Sequence, residues 1–229
     1  MGVIEESLRG MRMPSPINQT WKIIKVGPES VIELRAFHYA GKSKVFVKIF
    51  RASDFESVES MKCAFERQAA DLNAKGYNIY IVMNPIKSDF NGYSAKDKDI
   101  FHRTLLLIDI DRTDTAAEPA SNEEVRAAKS LADGLSAFLA KEGWPKPILV
   151  MSGNGWHLYY KLDQLINDDE NKGLIHRILK LLADRFNNPV VKIDPVVYNA
   201  SRITKVPGTV MRKGEESDGR PYREAMING

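Results

Sequence analysis

The stretch Thr104–Thr115, TLLLIDIDRTDT, decides how the rest of the chain is read. Leu105, Leu106, Leu107 and Ile108 form an unbroken apolar run that ends in Asp109, Ile110 and Asp111. An apolar run of this kind predicts a strand covered on both faces. Residues two apart on a strand project to the same side, so Asp109 and Asp111 share a face while Ile110 turns to the core. Two carboxylates that close resist joint ionisation unless a cation neutralises them. Oxygen-rich sites of this sort suit Mg²⁺ or Mn²⁺. The plainer alternative is a strand leaving for a loop, where Asp caps turns, because a bare D-x-D is a common pattern.

Outward from that strand, helix and strand signals alternate without repeats or low-complexity tracts. Ser30–Tyr39 and Lys44–Arg51 are β-branched, apolar runs around AGKS, which predicts a hairpin. Glu59–Gly76 has helical spacing at Met61, Phe65, Ala69 and Leu72, with Gly76 as a stop. Tyr77–Pro85 follows as a strand, and Ile86–Asp99 as a long polar loop of the functional or mobile kind. Ser121 and Glu124 make a capping box that opens a helix to about Lys141. Pro147–Leu162 predicts two strands around a Gly-Asn-Gly turn, Glu170–Phe186 an amphipathic helix, and VVKIDPVV and GTVMRK two short strands. Helices alternating with hairpins favour a mixed α/β or α+β fold over an all-parallel one.

Composition sets outer limits. The chain has 229 residues, enough for one substantial core in two lobes rather than two independent domains. Hydrophobic residues make up 43% and charged residues 28%, an ordinary water-soluble balance. A net charge of only +3 announces no global basic field, so a nucleic-acid surface has to be local. The single cysteine, Cys63, excludes an intramolecular disulfide and a cysteine-based zinc site. No apolar run reaches membrane-spanning length and the first residues lack a signal-peptide pattern, so a cytoplasmic protein without a membrane partner is expected.

Two further segments carry chemistry. In MSGNGWHLYY, the turn Gly153-Asn154-Gly155 permits positive φ and offers backbone N–H groups to phosphate oxygens. The next strand alternates His157, Tyr159 and Lys161 against Trp156, Leu158, Tyr160 and Leu162, and the second set reads as core. In KIDPVVYNASRITKVPGT, Asp194 closes a β-branched run as Asp111 closes its own, and Arg202 and Lys205 follow before a Pro-Gly turn. An arginine fork and a lysine point charge suit a polyphosphate; a solvated basic loop is the plainer reading.

The order D-x-D, then S-G-N-G-W-H, then a strand Asp followed by N-x-S-R-x-x-K-x-P-G-T resembles the archaeo-eukaryotic primase superfamily, above all its compact primase-polymerases of phage, plasmid and CRISPR-associated type. Weaker likeness extends to IELRAF, GYNIYIVMNP and the tail RKGEESDGRPYREAMI. The resemblance implies an RRM-like catalytic antiparallel sheet with flanking helices (about 101–229) beside an N-terminal α/β module (about 1–100). It implies a nucleotidyltransferase in which Asp109, Asp111 and Asp194 hold two divalent ions, Mg²⁺ or Mn²⁺. Ser152, Gly153, Asn154, His157, Arg202 and Lys205 would bind a nucleoside triphosphate. Arg35, Asn84 and Tyr198 are further nucleotide or template candidates, and Arg212, Lys213, Arg220 and Arg223 a path for a single-stranded or primed DNA template. Members of this superfamily usually carry helical, zinc or helicase segments as well, so the chain reads as a catalytic fragment with replication or CRISPR-associated partners.

Two other classes fit parts of the pattern. LLLIDIDRT also resembles the strand-D-x-D-x-T signature of haloacid-dehalogenase-type phosphohydrolases, whose first Asp is a nucleophile. That family wants a later acidic pair, for which Asp168-Asp169 is the candidate, although the two sit where a helix starts. A non-catalytic RRM-like nucleic-acid binder wants exposed aromatics in an RNP-like run, which the sequence lacks.

Overall fold

A computed structural model describes residues 15–41, 45–114 and 117–228. A short helix, α1 (Thr20–Ile23), precedes the strands β1 (Val31–His38) and β2 (Phe46–Arg51). These pair antiparallel, with Val31 opposite Arg51 and Ala36 opposite Phe46. Lys42 and Ser43, half of the turn expected at AGKS, lie outside the described residues. Helix α2 (Val58–Ala74) starts on a Ser57 cap and buries Met61, Phe65, Ala69 and Leu72, the stripe that the spacing called for. Gly76, at φ +88°, takes the left-handed conformation that ends it. β3 (Tyr77–Val82) then pairs with β1.

The loop Ile86–Asp99 is anchored rather than loose. The wholly buried Glu33 accepts from Ala95 N–H at 2.6 Å and pairs with Arg35. Arg51 donates to the Phe90 carbonyl.

The second half of the chain runs β4 (His102–Arg112), α3 (Asn122–Lys141), β5 (Ile148–Met151), β6 (Trp156–Ile166), α4 (Asp169–Phe186) and β7 (Val191–Ile193). This β-α-β-β-α-β order builds an antiparallel sheet in the sequence β5-β6-β4-β7, the split-βαβ arrangement of RRM-like domains. Leu105, Leu106, Leu107 and Ile108 are all buried, so β4 is covered on both faces as its apolar run demands. Helix α3 opens on the Ser121–Glu124 capping box and buries Leu131, Leu135 and Leu139. Each such leucine contributes about 1.5–3 kcal/mol relative to exposure. The fold is α+β.

Four short strands complete the chain: β8 (Ile203–Lys205), β9 (Val210–Met211), β10 (Arg223–Glu224) and β11 (Met226–Asn228). They depart from a clean division near residue 100. β8 pairs with β3, with Lys205 opposite Tyr80, and so completes a four-stranded sheet β2-β1-β3-β8. β11 pairs with β5 and widens the second sheet to five strands. One continuous core includes Leu34 and Ile79 of the first sheet and Leu106 and Leu158 of the second. The expectation that only one face of β6 is core therefore needs correcting: Tyr159 is as fully buried as Leu158, because the first sheet covers the face that carries it.

The Gly-Asn-Gly turn joins β5 to β6 and packs against the end of β4, and its two glycines serve different needs. Gly153 has φ +107°, and a Cβ there would lie 2.3 Å from Met211 Cβ. Gly155 has no positive φ; a Cβ on it would stand 2.1 Å from the Ile110 carbonyl oxygen and 2.4 Å from Asp111 Oδ1. Gly155→Ala is therefore expected to lower stability and displace the end of β4. Gly134→Ala, at an exposed helical site with nothing within 4 Å of the new carbon, should instead stabilise by about 0.5–1 kcal/mol. Thermal unfolding of the two variants beside the wild type checks both signs.

Candidate active site

Two adjacent strands deliver the acidic groups, and a third brings the histidine. Asp109 on β4 lies opposite His157 on β6, and directly opposed residues in an antiparallel pair share a face. On its other side β4 pairs with β7, Ile110 opposite Ile193 and Asp111 opposite Lys192. The Asp194 N–H donates to the Asp109 carbonyl at 2.9 Å, which continues that register by one step. A row His157–Asp109–Asp194 thus crosses three strands, with Asp111 and Lys192 beside it. The Asp194 side chain accepts from Val196 N–H at 2.9 Å, and this bond fixes its carboxylate.

The row floors a cleft of about 700 Å³ between the two sheets. Asp109, Asp111, Asp194, Ser152, Asn154, His157, Arg202, Lys205 and Lys213 all line it. β8 supplies Lys205, which is why the crossing of that strand to the first sheet matters: the chain that carries Asp194 on one wall carries the lysine on the other.

The charges are held under tension. Burial, and then the neighbouring Asp109 charge, push the Asp111 carboxyl up to about 7, against a partial offset from His157 and Lys213. Asp109 Oδ1 is buried without a conventional hydrogen bond, and His157 Nε2 stands 3.3 Å away. Burial draws the His157 imidazole down, yet the Asp109 charge and contact hold it above its ordinary value. Tyr80, facing the acids from β3, is raised to about 12 by burial and by Asp109 and Asp111. Lys205 is wholly enclosed: burial, with the Arg212 charge adding to it, brings its amine down to about 7. Its Nζ donates to the Val210 carbonyl at 3.2 Å.

Among the described residues no three His, Cys, Asp or Glu side chains form a ready-made metal cage. The donor set still suits a hard divalent cation. It offers two repelling carboxylates, one raised to about 7 and the other with an unpartnered buried oxygen, and a third acid on the next strand.

Several residues expected here are occupied elsewhere. Arg35 pairs with Glu33 and donates to Ser94 Oγ at 2.6 Å, so it braces the first sheet and its loop. Asn84 is buried; its Nδ2 donates to the Ala200 carbonyl and its Oδ1 accepts from the backbone of Thr104 and Leu105. Tyr198 stacks on His176 with ring centroids 4.3 Å apart, away from the cleft. Arg212 donates to the Asn73 carbonyl at 3.0 Å. Arg220 pairs with Glu124 and Glu118, while Arg223 bonds the Ala120 carbonyl and Asn122. Of the basic residues expected along a template path, only Lys213 faces the cleft.

The glycine turn is also less open than expected. Gly153 N–H contacts Met151 Sδ, Gly155 N–H donates to Ser152 Oγ, and Asn154 Oδ1 accepts from Ala120 N–H. Its amides mostly hold the turn together. Asp168 caps α4 by accepting from Asn171 N–H, with Asp169 in the first helical turn. The pair that a phosphohydrolase would need is thus a helix cap, remote from the cleft.

Other cleft residues were passed over in the sequence: Phe37, Tyr80, Asn187, Lys192 and Thr204. Lys192 was legible, since it precedes Asp194 by two on one strand and so shares its face. Tyr80 and Thr204 were not, because only the pairing of β8 with β3 brings them in.

No family model matches the sequence, and no curated protein does. Solved structures do. The crystal structure of primase RepB' matches with a TM-score of 0.51 at 14% identity, over 93% of this chain and 55% of that one. The polymerase domain of Mycobacterium tuberculosis ligase D, solved in complex with DNA, matches with a TM-score of 0.53 at 15% identity, over 90% of this chain and 78% of that one. The chain has the fold of a primase-polymerase catalytic core.

At the level of fold, the likeness carried by the sequence motifs holds, and the chain spans about half the length of the primase that it matches. Among the described residues no helix is long and apolar enough to cross a membrane.

In this primase-polymerase fold the buried lysine offers a test. Its amine loses its proton near 7 in the folded chain and near its ordinary 10.5 when unfolded. The folded state therefore carries the full cost of the buried charge below pH 7, and that cost fades between pH 7 and 10.5. Lys205→Met should be more stable than wild type, by about 5 °C in Tm at pH 6. The gap should close as pH approaches 10. Paired melting curves across that range decide it; a gap that widens with pH would contradict the buried-charge account.

Proposed function

We propose that this chain is the catalytic core of a template-dependent primase-polymerase, transferring nucleotides from nucleoside triphosphates to a 3′-hydroxyl, with two divalent ions and with de novo primer synthesis within its reach. The observation that carries this reading is the row of Asp109, Asp194 and His157 across β4, β7 and β6, with Asp111 alongside and Arg202 and Lys205 on the facing wall of the same cleft. Acids on the floor and cations opposite suit a ligand that is itself a metal–polyphosphate complex.

Asp109, Asp111 and Asp194 would hold Mg²⁺ or Mn²⁺. When bound, such ions neutralise triphosphate charge, activate the attacking hydroxyl and stabilise the leaving pyrophosphate. His157 presents a ring nitrogen and Ser152 a hydroxyl toward the phosphates. Arg202 is steadied by donating to the Val196 carbonyl at 2.8 Å, while its Nε is buried and unpartnered. Lys205, poor in partners and able to exchange its proton near neutrality, gains most from an anion, which would restore its charge. Lys192 flanks the acids on the far side from His157, and Lys213 lines the same cleft; along these lysines the template or the strand bearing the 3′-hydroxyl would lie. Base identity then comes from template pairing, and few side chains need read base edges.

The fold alone would also accommodate a non-catalytic binder. Such a domain stacks bases on exposed sheet aromatics, whereas Tyr159 is fully buried and acids occupy the corresponding face.

Asp109→Asn, Asp111→Asn and Asp194→Asn should each abolish metal-dependent incorporation of labelled nucleotide on a primed template while leaving the fold intact. The loss expected is about 4 kcal/mol of charge stabilisation, roughly a thousandfold in rate. Near-wild-type extension by purified Asp194→Asn would remove the three-carboxylate site. Phosphate release from a simple monoester, with no extension, would replace the polymerase reading by a phosphohydrolase.

A further inference from the structure

Tyr159 stands two residues beyond His157 on β6, so both side chains leave the same face of the strand. The Tyr159 hydroxyl lies 2.9 Å from His157 Nδ1. It also hydrogen-bonds the Thr204 hydroxyl, which comes from β8 in the other sheet and is itself 3.4 Å from Nδ1. All three side chains are buried. On the opposite edge of the imidazole, Nε2 faces Asp109 Oδ1 at 3.3 Å. A line of polar atoms therefore runs from the first sheet, through Thr204, Tyr159 and His157, to the acids on the second.

We propose that Tyr159 and Thr204 are positioning residues that hold His157 with its Nε2–H aimed into the cleft, as a donor to a nucleotide phosphate. The inference rests on the primase-polymerase reading and adds to it the means by which the histidine is aimed. A neutral imidazole has one donor and one acceptor nitrogen, and a phosphate oxygen only accepts. The Asp109 carboxylate only accepts, so Nε2, which faces it, keeps the proton of a neutral ring; Nδ1 then accepts from Tyr159 O–H, and the Tyr159 oxygen accepts from Thr204 O–H. In a doubly protonated ring the chain reverses: Nδ1–H donates to Tyr159, Tyr159 donates to Thr204, and Nε2–H still faces the cleft. Burial holds the phenol above its ordinary pKa, so it keeps the proton that this relay needs. Remove the hydroxyl and the buried Nδ1 loses the donor that holds it, so the ring is free to turn or to shift its proton to Nδ1, and Nε2 no longer presents a fixed N–H to the phosphate.

Tyr159→Phe keeps the ring and deletes the hydroxyl. Titration with a non-hydrolysable nucleoside triphosphate and Mg²⁺ should show affinity weakened by roughly five- to tenfold, with affinity for primed DNA unchanged. Thr204→Val should lose part of this, and Thr204→Ser should restore most of what Thr204→Val loses. The decisive measurement is a double-mutant cycle: in a His157→Ala background, Tyr159→Phe should cost nothing further. An equal loss in both backgrounds would mean that Tyr159 acts by packing, and would overturn the proposal. So would unchanged affinity in the single variant while wild type binds, and that result would leave the primase-polymerase reading standing. A wild type that binds no triphosphate would remove both. If Tyr159→Phe fails to fold, Thr204→Val against Thr204→Ser, each with and without His157→Ala, supplies the same cycle.

Discussion

Repulsion between Asp109 and Asp111 is what the rest of the structure has to accommodate. Both acids leave the same face of β4, which lies between β6 and β7, and no basic side chain forms a close ion pair with Asp111 among the ion pairs of the described residues. The fold responds by placing partial counter-charges at a distance, on His157 and Lys213. It leaves the remaining imbalance unresolved. A protein selected only for stability would replace such a pair with apolar residues, since buried charges seldom repay their desolvation. Their retention at the floor of an open cleft marks a place where a ligand, rather than the chain, completes the electrostatics.

The seam between the two sheets follows from the same constraint. If β8 stayed with the second half of the chain, Thr204 and Lys205 would lie far from the β4 acids. Crossing to β3 puts them on the wall opposite Asp109, and it buries Lys205 without an acidic partner. The crossing also lets Tyr159 bond across the seam to Thr204, so the spacing of the walls is set by a polar contact as well as by packing. Gly155 meets a related demand, because β4 and the turn before β6 approach so closely that no Cβ fits between them. Backbone closeness and cross-sheet bonding together fix where the acids, the histidine and the cations sit.

The parts of this arrangement legible in the sequence were those with a local cause. The box at Ser121 and Glu124, the stripe Met61–Phe65–Ala69–Leu72 and the stop at Gly76 each depend on neighbours within a turn or two, and each is where the spacing put it. Asp109 and Asp111 share the cleft because period 2 on a strand leaves no alternative. What the local pattern did not reveal was long-range. Arg35, Asn84, Arg212, Arg220 and Arg223 carry suitable chemistry, but each is claimed by a partner distant in sequence, such as Glu124 for Arg220. Tyr159 looked like one of an alternating set because nothing local reveals that a second sheet covers that face. The strand at Ile203–Lys205 is only three residues long and too short to declare itself.

That split between local and long-range signals bears on why the motif order was informative when its single elements were weak. A D-x-D, a glycine turn or a basic pair occurs in many folds, and each has a structural explanation of its own. Here the turn must lie beside the D-x-D because Gly155 packs on Ile110 and Asp111. Asp194 must lie beside Asp109 because β7 pairs with β4. The basic residues must face both because β8 crosses to the other sheet. The sequence order thus encodes a geometric closure, in which each segment is placed by contact with the previous one. Most of the candidate basic residues dropped out of the site because they lie outside that closed set of contacts. Arg202, Lys205 and Lys213 stayed because they lie within it.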